Sequence, residues 1–306
     1  MSSASSSSPP RAETSAALPT SDAVTTPITI RTLAKWRRED VKFAALTCYD
    51  ATTARWLERA GVPVLLVGDT AAEVILGHPA TLHAPLEFMI TLTAAVKRGG
   101  PSRFVMADMP FLSYGADEAE GIRNAGRFMT EGHADAVKLE VDRRHAALVE
   151  KMGLAGIPVV AHIGSRPQHT RLRGGYWSAG KTAETARDLL EDARILEEAG
   201  AAMLLVEACP AEVAEEIVAR STLPVIGCGA GPACHGQVVV LQDLLGLTDW
   251  QPAFATPAAR IGDAIVQAAS TWCARVAGGD LGPHPYSMSD EEREAFQRSL
   301  GPSRGS

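Results

Sequence analysis

Residues 136–162 read AVKLEVDRRHAALVEKMGLAGIPVVAH, and this stretch decides the fold. It opens on a short run, 136–140, that is apolar except for Lys138 and the closing Glu140. A helix-periodic stretch, 143–153, follows, and Gly156-Ile157-Pro158 returns the chain to a second apolar run at 159–162. Short, nearly continuous apolar runs suit parallel strands buried on both faces. Parallel neighbours need a crossover between them, so the stretch reads as one strand–helix–strand unit.

The unit recurs in both directions. Further strand runs lie at 43–47, 64–67, 104–107, 203–207, 225–228 and 238–241. Helix candidates fill the intervals: 51–60 stops at Gly61, 85–98 starts at Pro85, 118–131 follows Asp117 as N-cap, 182–199 stops at Gly200, and 210–220 carries Pro210 in its first turn. Eight strands with interleaved helices predict a (β/α)8 barrel, with an open doubly wound sheet as the alternative. Residues 255–277 read as a further amphipathic helix. Residues 1–27, rich in Ser, Ala, Thr and Pro, read as a disordered tail, and 281–306 as a polar one, leaving 28–280 as the catalytic barrel.

Composition narrows the partners. With 46% hydrophobic and 21% charged residues the chain can bury a large core, and a net charge of −7 argues against nucleic acid. No apolar run reaches the roughly 18–20 residues of a membrane span. The five cysteines are scattered, with no CxxC pair, which suits reduced core thiols and a cytoplasmic setting.

In a barrel the chemistry sits at the C-terminal ends of the strands. Here those ends carry Asp69-Thr70, Asp108, Lys138 with Glu140, His162 and Glu207. Strand alternation puts Lys138 and Glu140 on one side. So many acids on one rim repel unless a cation joins them. An oxygen-only set points to a hard divalent ion, Mg2+, with Asp69 and Asp108 as first ligands and Glu140 as a second or water-mediated one. His162 reads equally as a functional group or a satisfied core histidine. Most of the other histidines read as loop or surface residues. Gly227-Cys228-Gly229-Ala230-Gly231 reads either as an anion-binding turn or as a tight turn needing positive φ.

The same residues resemble the ketopantoate hydroxymethyltransferase family. Thr47-Cys48-Tyr49-Asp50 resembles its T-A-Y-D segment, Val67-Gly68-Asp69-Thr70 its VGDS, Ala107-Asp108-Met109-Pro110-Phe111 its ADLPF and Val137-Lys138-Leu139-Glu140 its VKLE. Ala161-His162-Ile163-Gly164 with Pro167-Gln168 is similar to AHIGFTPQ, Leu205-Val206-Glu207-Ala208-Cys209-Pro210 to LECVP, and Ile226-Gly227-Cys228-Gly229-Ala230-Gly231 to IGIGAG. The likeness runs in order from about residue 28 to 280.

This resemblance implies a (β/α)8 barrel of the phosphoenolpyruvate/pyruvate type, Mg2+, 3-methyl-2-oxobutanoate as acceptor and 5,10-methylenetetrahydrofolate as one-carbon donor. It implies Asp69 and Asp108 as metal ligands with Glu140 nearby, and Asp69, Thr70, Asp108 and Lys138 as contacts to the 2-oxo acid. Glu207 would be the base, and the assembly a homo-oligomer, a decamer of stacked pentamers. The chain departs from the pattern at Thr70 for the usual Ser, at Val141-Asp142 for Gly-Gly, after Gln168, and in the C-terminal EEHSF, echoed only by His284-Pro285-Tyr286-Ser287-Met288. None of these touches the expected metal or base positions. Two other readings share most of these residues: a folate-independent, metal-dependent 2-oxo acid aldolase or lyase, and a non-catalytic paralogue.

Overall fold

The computed structural model describes residues 26–300; of the tail expected at 1–27, residues 1–25 lie outside that range, as do the last six residues of the chain. Eight parallel strands close into one barrel in sequence order: β1 Phe43–Thr47, β2 Val64–Val67, β3 Phe104–Asp108, β4 Ala136–Glu140, β5 Val159–Gly164, β6 Met203–Glu207, β7 Val225–Cys228 and β8 Gly236–Val239. The open-sheet alternative is thereby excluded, since β8 pairs with β1 in the register Phe43↔Gly236. The helices are α1 Ile30–Arg38, α2 Ala51–Arg59, α3 Ala71–Val74, α4 Leu86–Gly99, α5 Glu118–Thr130, α6 Ala146–Leu154, α7 Thr170–Arg173, α8 Ala183–Glu198, α9 Ala211–Arg220, α10 Leu241–Leu244, α11 Ile261–Ala277 and α12 Asp290–Ser299.

Alternation along each strand sorts the core into two layers. Alternate strand residues meet inside the barrel: Phe43 and Ala45, Val64 and Leu66, Phe104 and Met106, Val160, Met203 and Leu205, Ile226 and Val238. The intervening residues, such as Val105, Val137, Leu139, Leu204 and Val206, pack outward against the helices. Counting by twos along the inner set leads to the top of the barrel. Met106 is followed by Asp108, Ala136 by Lys138 and Glu140, Val160 by His162, and Leu205 by Glu207. The same period that fills the core therefore points the charged residues inward at its upper end.

Below, α1 closes the barrel. Thr29 caps it reciprocally with Thr32, and Leu33 is fully buried among the inner residues. The sequence reading did not include this helix, or the short α3, α7, α10 and the α12 of the polar C-terminal stretch. The eighth strand lies two residues earlier than expected. A Cβ at Gly236 would meet the Phe43 ring at 2.4 Å, so only glycine fits there, and Leu241 already belongs to α10, its N–H donating to Thr47 Oγ1 at 2.9 Å. α11 starts at Ile261, not 255; Ala258 N and Ile261 N donate to Leu244 O and Leu245 O at the end of α10, which ties the preceding stretch to α10 outside a helix of its own. The expected helix at 143–153 divides into a 3-10 turn, Arg143–His145, and α6. His235 is buried, its Nδ1 accepting from Val225 N at 3.1 Å, unlike the histidines read as surface groups.

α11 differs from the other long helices because none of its residues is buried, although it carries Ile265, Val266, Trp272 and Val276. β8 is followed directly only by the four-residue α10. Among the described residues no helix is long and apolar enough to cross a membrane.

Candidate active site

Asp69, Thr70, Asp108, Lys138, Glu140, His162 and Glu207 all line one cavity of about 690 Å3 at the C-terminal mouth of the barrel. The first-choice acids sit side by side. The N–H of Asp69 donates to Asp108 Oδ2 at 3.0 Å, and Lys138 Nζ lies 2.8 Å from Asp108 Oδ1. Asp69 is not a strand residue; it follows Gly68 just beyond β2, and α3 begins two residues later.

Burial dominates the electrostatics. Loss of water, then the charge of Asp108, pushes the Asp69 carboxyl up to about 8. Glu140 is driven far above the carboxylate range by burial and by Asp69. For Lys138 burial works against the charge, but Asp108, Asp69 and Glu140 outweigh it, so the ammonium stays protonated. His162 is held neutral, first by burial and then by Lys138 and Arg166. A protonated lysine 3.3 Å from His162 Nδ1 must be the donor there. The imidazole proton therefore sits on Nε2, which faces Glu207 Oε2 at 3.5 Å. His162 lies between Lys138 and Glu207, and its Nε2 has no hydrogen-bond partner among the described residues.

Glu207 ends β6 opposite Cys228 of β7. Burial raises its carboxyl to about 7, with Lys138 holding it down and Asp108 pushing it up. Nearby, Gly164 has φ +98°, and a Cβ there would stand 2.3 Å from Glu207 O. Ser165 N donates to that same oxygen at 2.9 Å. The β5 end is thus fitted closely against Glu207 at the end of β6.

Sequence reasoning missed several groups that hold this cluster. Gln168, quoted only as a motif letter, donates from Nε2 to Asp69 Oδ2 at 2.8 Å and from its backbone N to Glu140 Oε2 at 3.0 Å. Tyr114 OH donates to Gln168 Oε1 at 2.9 Å and accepts from Glu140 N at 3.1 Å. Asp142, one of the departures from the family pattern, is buried and accepts from Arg166 Nη1 at 3.0 Å. Hydrogen bonds from His145, Arg144 and Arg166 overcome its burial and hold its carboxyl far below the usual range. Only the Asp142 position carried a signal, as a charge where glycine was expected. In the glycine-rich turn, Gly229 has φ +61° and packs against Phe254, which supports the tight-turn reading.

Among the described residues, no three His, Cys, Asp or Glu side chains converge closely enough to hold an ion unaided. The donor set nonetheless fits Mg2+, which keeps several waters and uses one or two carboxylates plus substrate oxygens. Glu140 Oε1 is buried with no hydrogen-bond partner, an acceptor that an ion or its water would satisfy. Beyond the acids the cavity opens between Tyr176, Trp177, Trp250 and Phe254.

A closed (β/α)8 barrel with buried acids, a lysine and a raised carboxylate gathered at its upper mouth is the arrangement of a TIM-barrel enzyme. A profile of the ketopantoate hydroxymethyltransferase family matches residues 27–283, and the chain belongs to that family of transferases. It is 46% identical over 264 residues to the 3-methyl-2-oxobutanoate hydroxymethyltransferase of Nitrosomonas eutropha, covering 86% of this chain and 98% of that one. The enzyme of the same name from Syntrophobacter fumaroxidans is 44% identical over 254 residues, covering 82% and 90%. Among solved structures the fold is similar to 2,3-dimethylmalate lyase, a PEP mutase/isocitrate lyase superfamily member, with TM-score 0.55, 17% identity and coverage of 89% and 95%. A phosphonopyruvate hydrolase solved with oxalate and Mg2+ gives TM-score 0.55 at 13% identity, covering 89% and 95%.

Proposed function

We propose that this enzyme transfers a hydroxymethyl group from 5,10-methylenetetrahydrofolate to 3-methyl-2-oxobutanoate, giving 2-dehydropantoate for pantothenate biosynthesis, with residues 28–280 as the catalytic unit. The observation that carries the reading is Glu207, a part-buried carboxylate raised to about 7 beside Lys138, Asp69, Asp108 and Glu140. A carbon acid flanking a ketone needs both a base and a place for the negative charge it releases.

Each group has a task. Asp69 and Asp108 would hold Mg2+, with Glu140 nearby, and Asp69, Thr70 and Asp108 would line the 2-oxo acid. When bound, Mg2+ supplies Lewis-acid stabilisation of the charge that develops on the keto oxygen. Lys138, kept protonated by its acid neighbours, neutralises the substrate carboxylate. Glu207 takes the proton from C3, and a carboxylate near 7 is poised to do so at neutral pH. His162, neutral with its proton on Nε2, orients Glu207 from the side of Lys138. The one-carbon unit is released when water adds to the methylene carbon of the folate iminium and the C–N bond breaks with its electron pair going to nitrogen, giving formaldehyde and tetrahydrofolate. C3 of the enolate then bonds to the formaldehyde carbon, whose oxygen takes up a proton as the new hydroxyl. The aromatic side chains at the mouth support this donor, because a flat pterin ring finds stacking surface there.

A homo-oligomer is part of the proposal, a decamer being the form the resemblance implies. It is supported by α11, which leaves Ile265, Val266, Trp272 and Val276 exposed, while β8 has only α10 directly after it. Five free cysteines agree with a cytoplasmic location.

The test is proton exchange at C3 of 3-methyl-2-oxobutanoate, with and without Mg2+, followed by addition of methylenetetrahydrofolate. Metal-dependent exchange and folate-dependent product are expected. Exchange without product would turn the reading toward a folate-independent lyase, and no exchange would remove the enolising role.

A further inference from the structure

Gln168 touches the ends of three strands, two of them through its side chain and one through its backbone. Its Nε2 donates to Asp69 Oδ2, just beyond β2, and to the carbonyl of Met109, just beyond β3, at 2.8 and 3.0 Å. Its backbone N–H donates to Oε2 of Glu140, the last residue of β4, at 3.0 Å. The amide cannot flip, because Tyr114 OH supplies a donor to Oε1 at 2.9 Å while both Nε2 hydrogens face acceptors. The carboxamide therefore has every polar valence that its geometry allows in use, and the residue is buried.

The loop that carries it is tied down at both sides. Arg166 Nη1 donates to Asp142, two residues after β4, and Ser165 N donates to Glu207 O. What this network leaves unused is informative: Glu140 keeps Oε1 buried and without a partner. A residue whose only task was to satisfy buried acids would not fix one oxygen of Glu140 and leave the other without a partner, since an orphaned buried acceptor is costly.

We propose that Gln168 is a positioning residue for the metal site: it fixes one oxygen of Asp69 through its side chain and one of Glu140 through its backbone, so that the second oxygen of each carboxylate would be free for the cation. The inference rests on the reading of these acids as the metal site. Neutrality is essential to the task. A glutamate at 168 would set a third charge against Asp69, and an apolar side chain of the same length would leave Asp69 Oδ2 and Met109 O without a donor. Tyr114 supports both ends of this contact, holding the amide in its donating orientation and accepting from the backbone N–H of Glu140.

Isothermal titration of the full-length protein with MgCl2 tests this without reference to turnover. Gln168→Met keeps the length and removes the donors; Mg2+ affinity should fall about 10–100-fold, the range for loss of a group that orients metal ligands. Raising Mg2+ should restore much of the lost C3 exchange, which a general packing defect would not allow. Tyr114→Phe fills the same space and should weaken Mg2+ by a smaller factor, about 3–10-fold. Affinities within twofold of the parent in both variants would overturn the proposal while leaving the metal reading intact. If Gln168→Met loses cooperative unfolding, Tyr114→Phe decides alone, and unchanged affinity there overturns it. A parent protein that takes up no Mg2+ would remove the metal reading and this inference together.

Discussion

Replacing Glu207 by glutamine keeps the shape of the side chain and removes only its ability to accept a proton. In the folded chain burial lifts this carboxyl from 4.5 to about 7, against the pull of Lys138 and with the push of Asp108. At neutral pH it is then about half ionised and roughly 300-fold more basic than an ordinary glutamate. A positioned base of matched pKa contributes about 10²–10⁴-fold to rate, equivalent to roughly 3–5 kcal/mol of barrier. Glu207→Gln should therefore slow C3 exchange by that factor. The assay is loss of the C3 proton signal of 3-methyl-2-oxobutanoate in D2O with Mg2+ and no folate, followed by NMR. Because the base must be ionised, the parent rate should rise with pH and level off above about 7, and the limb should vanish in the variant. Mg2+ affinity should stay within about twofold, since no cation contact is assigned to this residue. Exchange within tenfold of the parent, or a limb near 7 that survives the substitution, would refute the assignment.

The raised carboxyls make a stability prediction. Asp69 near 8 and Glu207 near 7 both stand above their ordinary values of 3.8 and 4.5, so the folded state binds their protons more tightly than the unfolded chain. Their contribution is complete below about pH 4 and is lost as pH rises to about 8. The Tm of metal-free protein should fall between about pH 6 and 8, with saturating Mg2+ removing most of the decline; a flat metal-free profile would contradict these shifts. Asp108→Ala should weaken Mg2+ at least about tenfold by titration calorimetry, and an unchanged affinity would remove Asp108 from the ligand set. Gly164→Ala must place a Cβ 2.3 Å from Glu207 O at φ +98°, with backbone as the obstacle. Urea unfolding should report a loss of about 3 kcal/mol or more, and a loss under about 1 kcal/mol would contradict the close approach. Trp272→Asp puts a charge on the exposed apolar face of α11 and should reduce the mass measured by light scattering after gel filtration. An unchanged mass would separate that face from assembly.

The parts of the fold that were legible in the sequence are those where a local pattern and the global structure demand the same residue. Runs such as Leu65-Leu66-Val67 are apolar because a barrel strand is covered on both faces, so length and composition alone locate them. β8 was misplaced by two residues because Gly236 and Gln237 are poor strand formers, recruited by closure: Phe43 needs the missing side chain of Gly236 across the seam. The site divides the same way. Asp108, Lys138, Glu140 and Glu207 stand out in the sequence because a charge ending an apolar run has no cheap structural reason to be there. Gln168 does not stand out, since a neutral amide after a proline suits any turn, and its partners Tyr114 and Asp69 lie 54 and 99 residues away. Buried charges are conspicuous in a sequence because they are costly, whereas the neutral groups that make them tolerable are inexpensive anywhere. A reading that stops at the conspicuous residues recovers the acids and the base and leaves out the residue that sets their geometry. That is why Gln168→Met is the more discriminating experiment: it alters no charge and keeps the backbone N–H that holds Glu140, so an effect on Mg2+ reports the loss of the Nε2 contacts to Asp69 and to Met109 O.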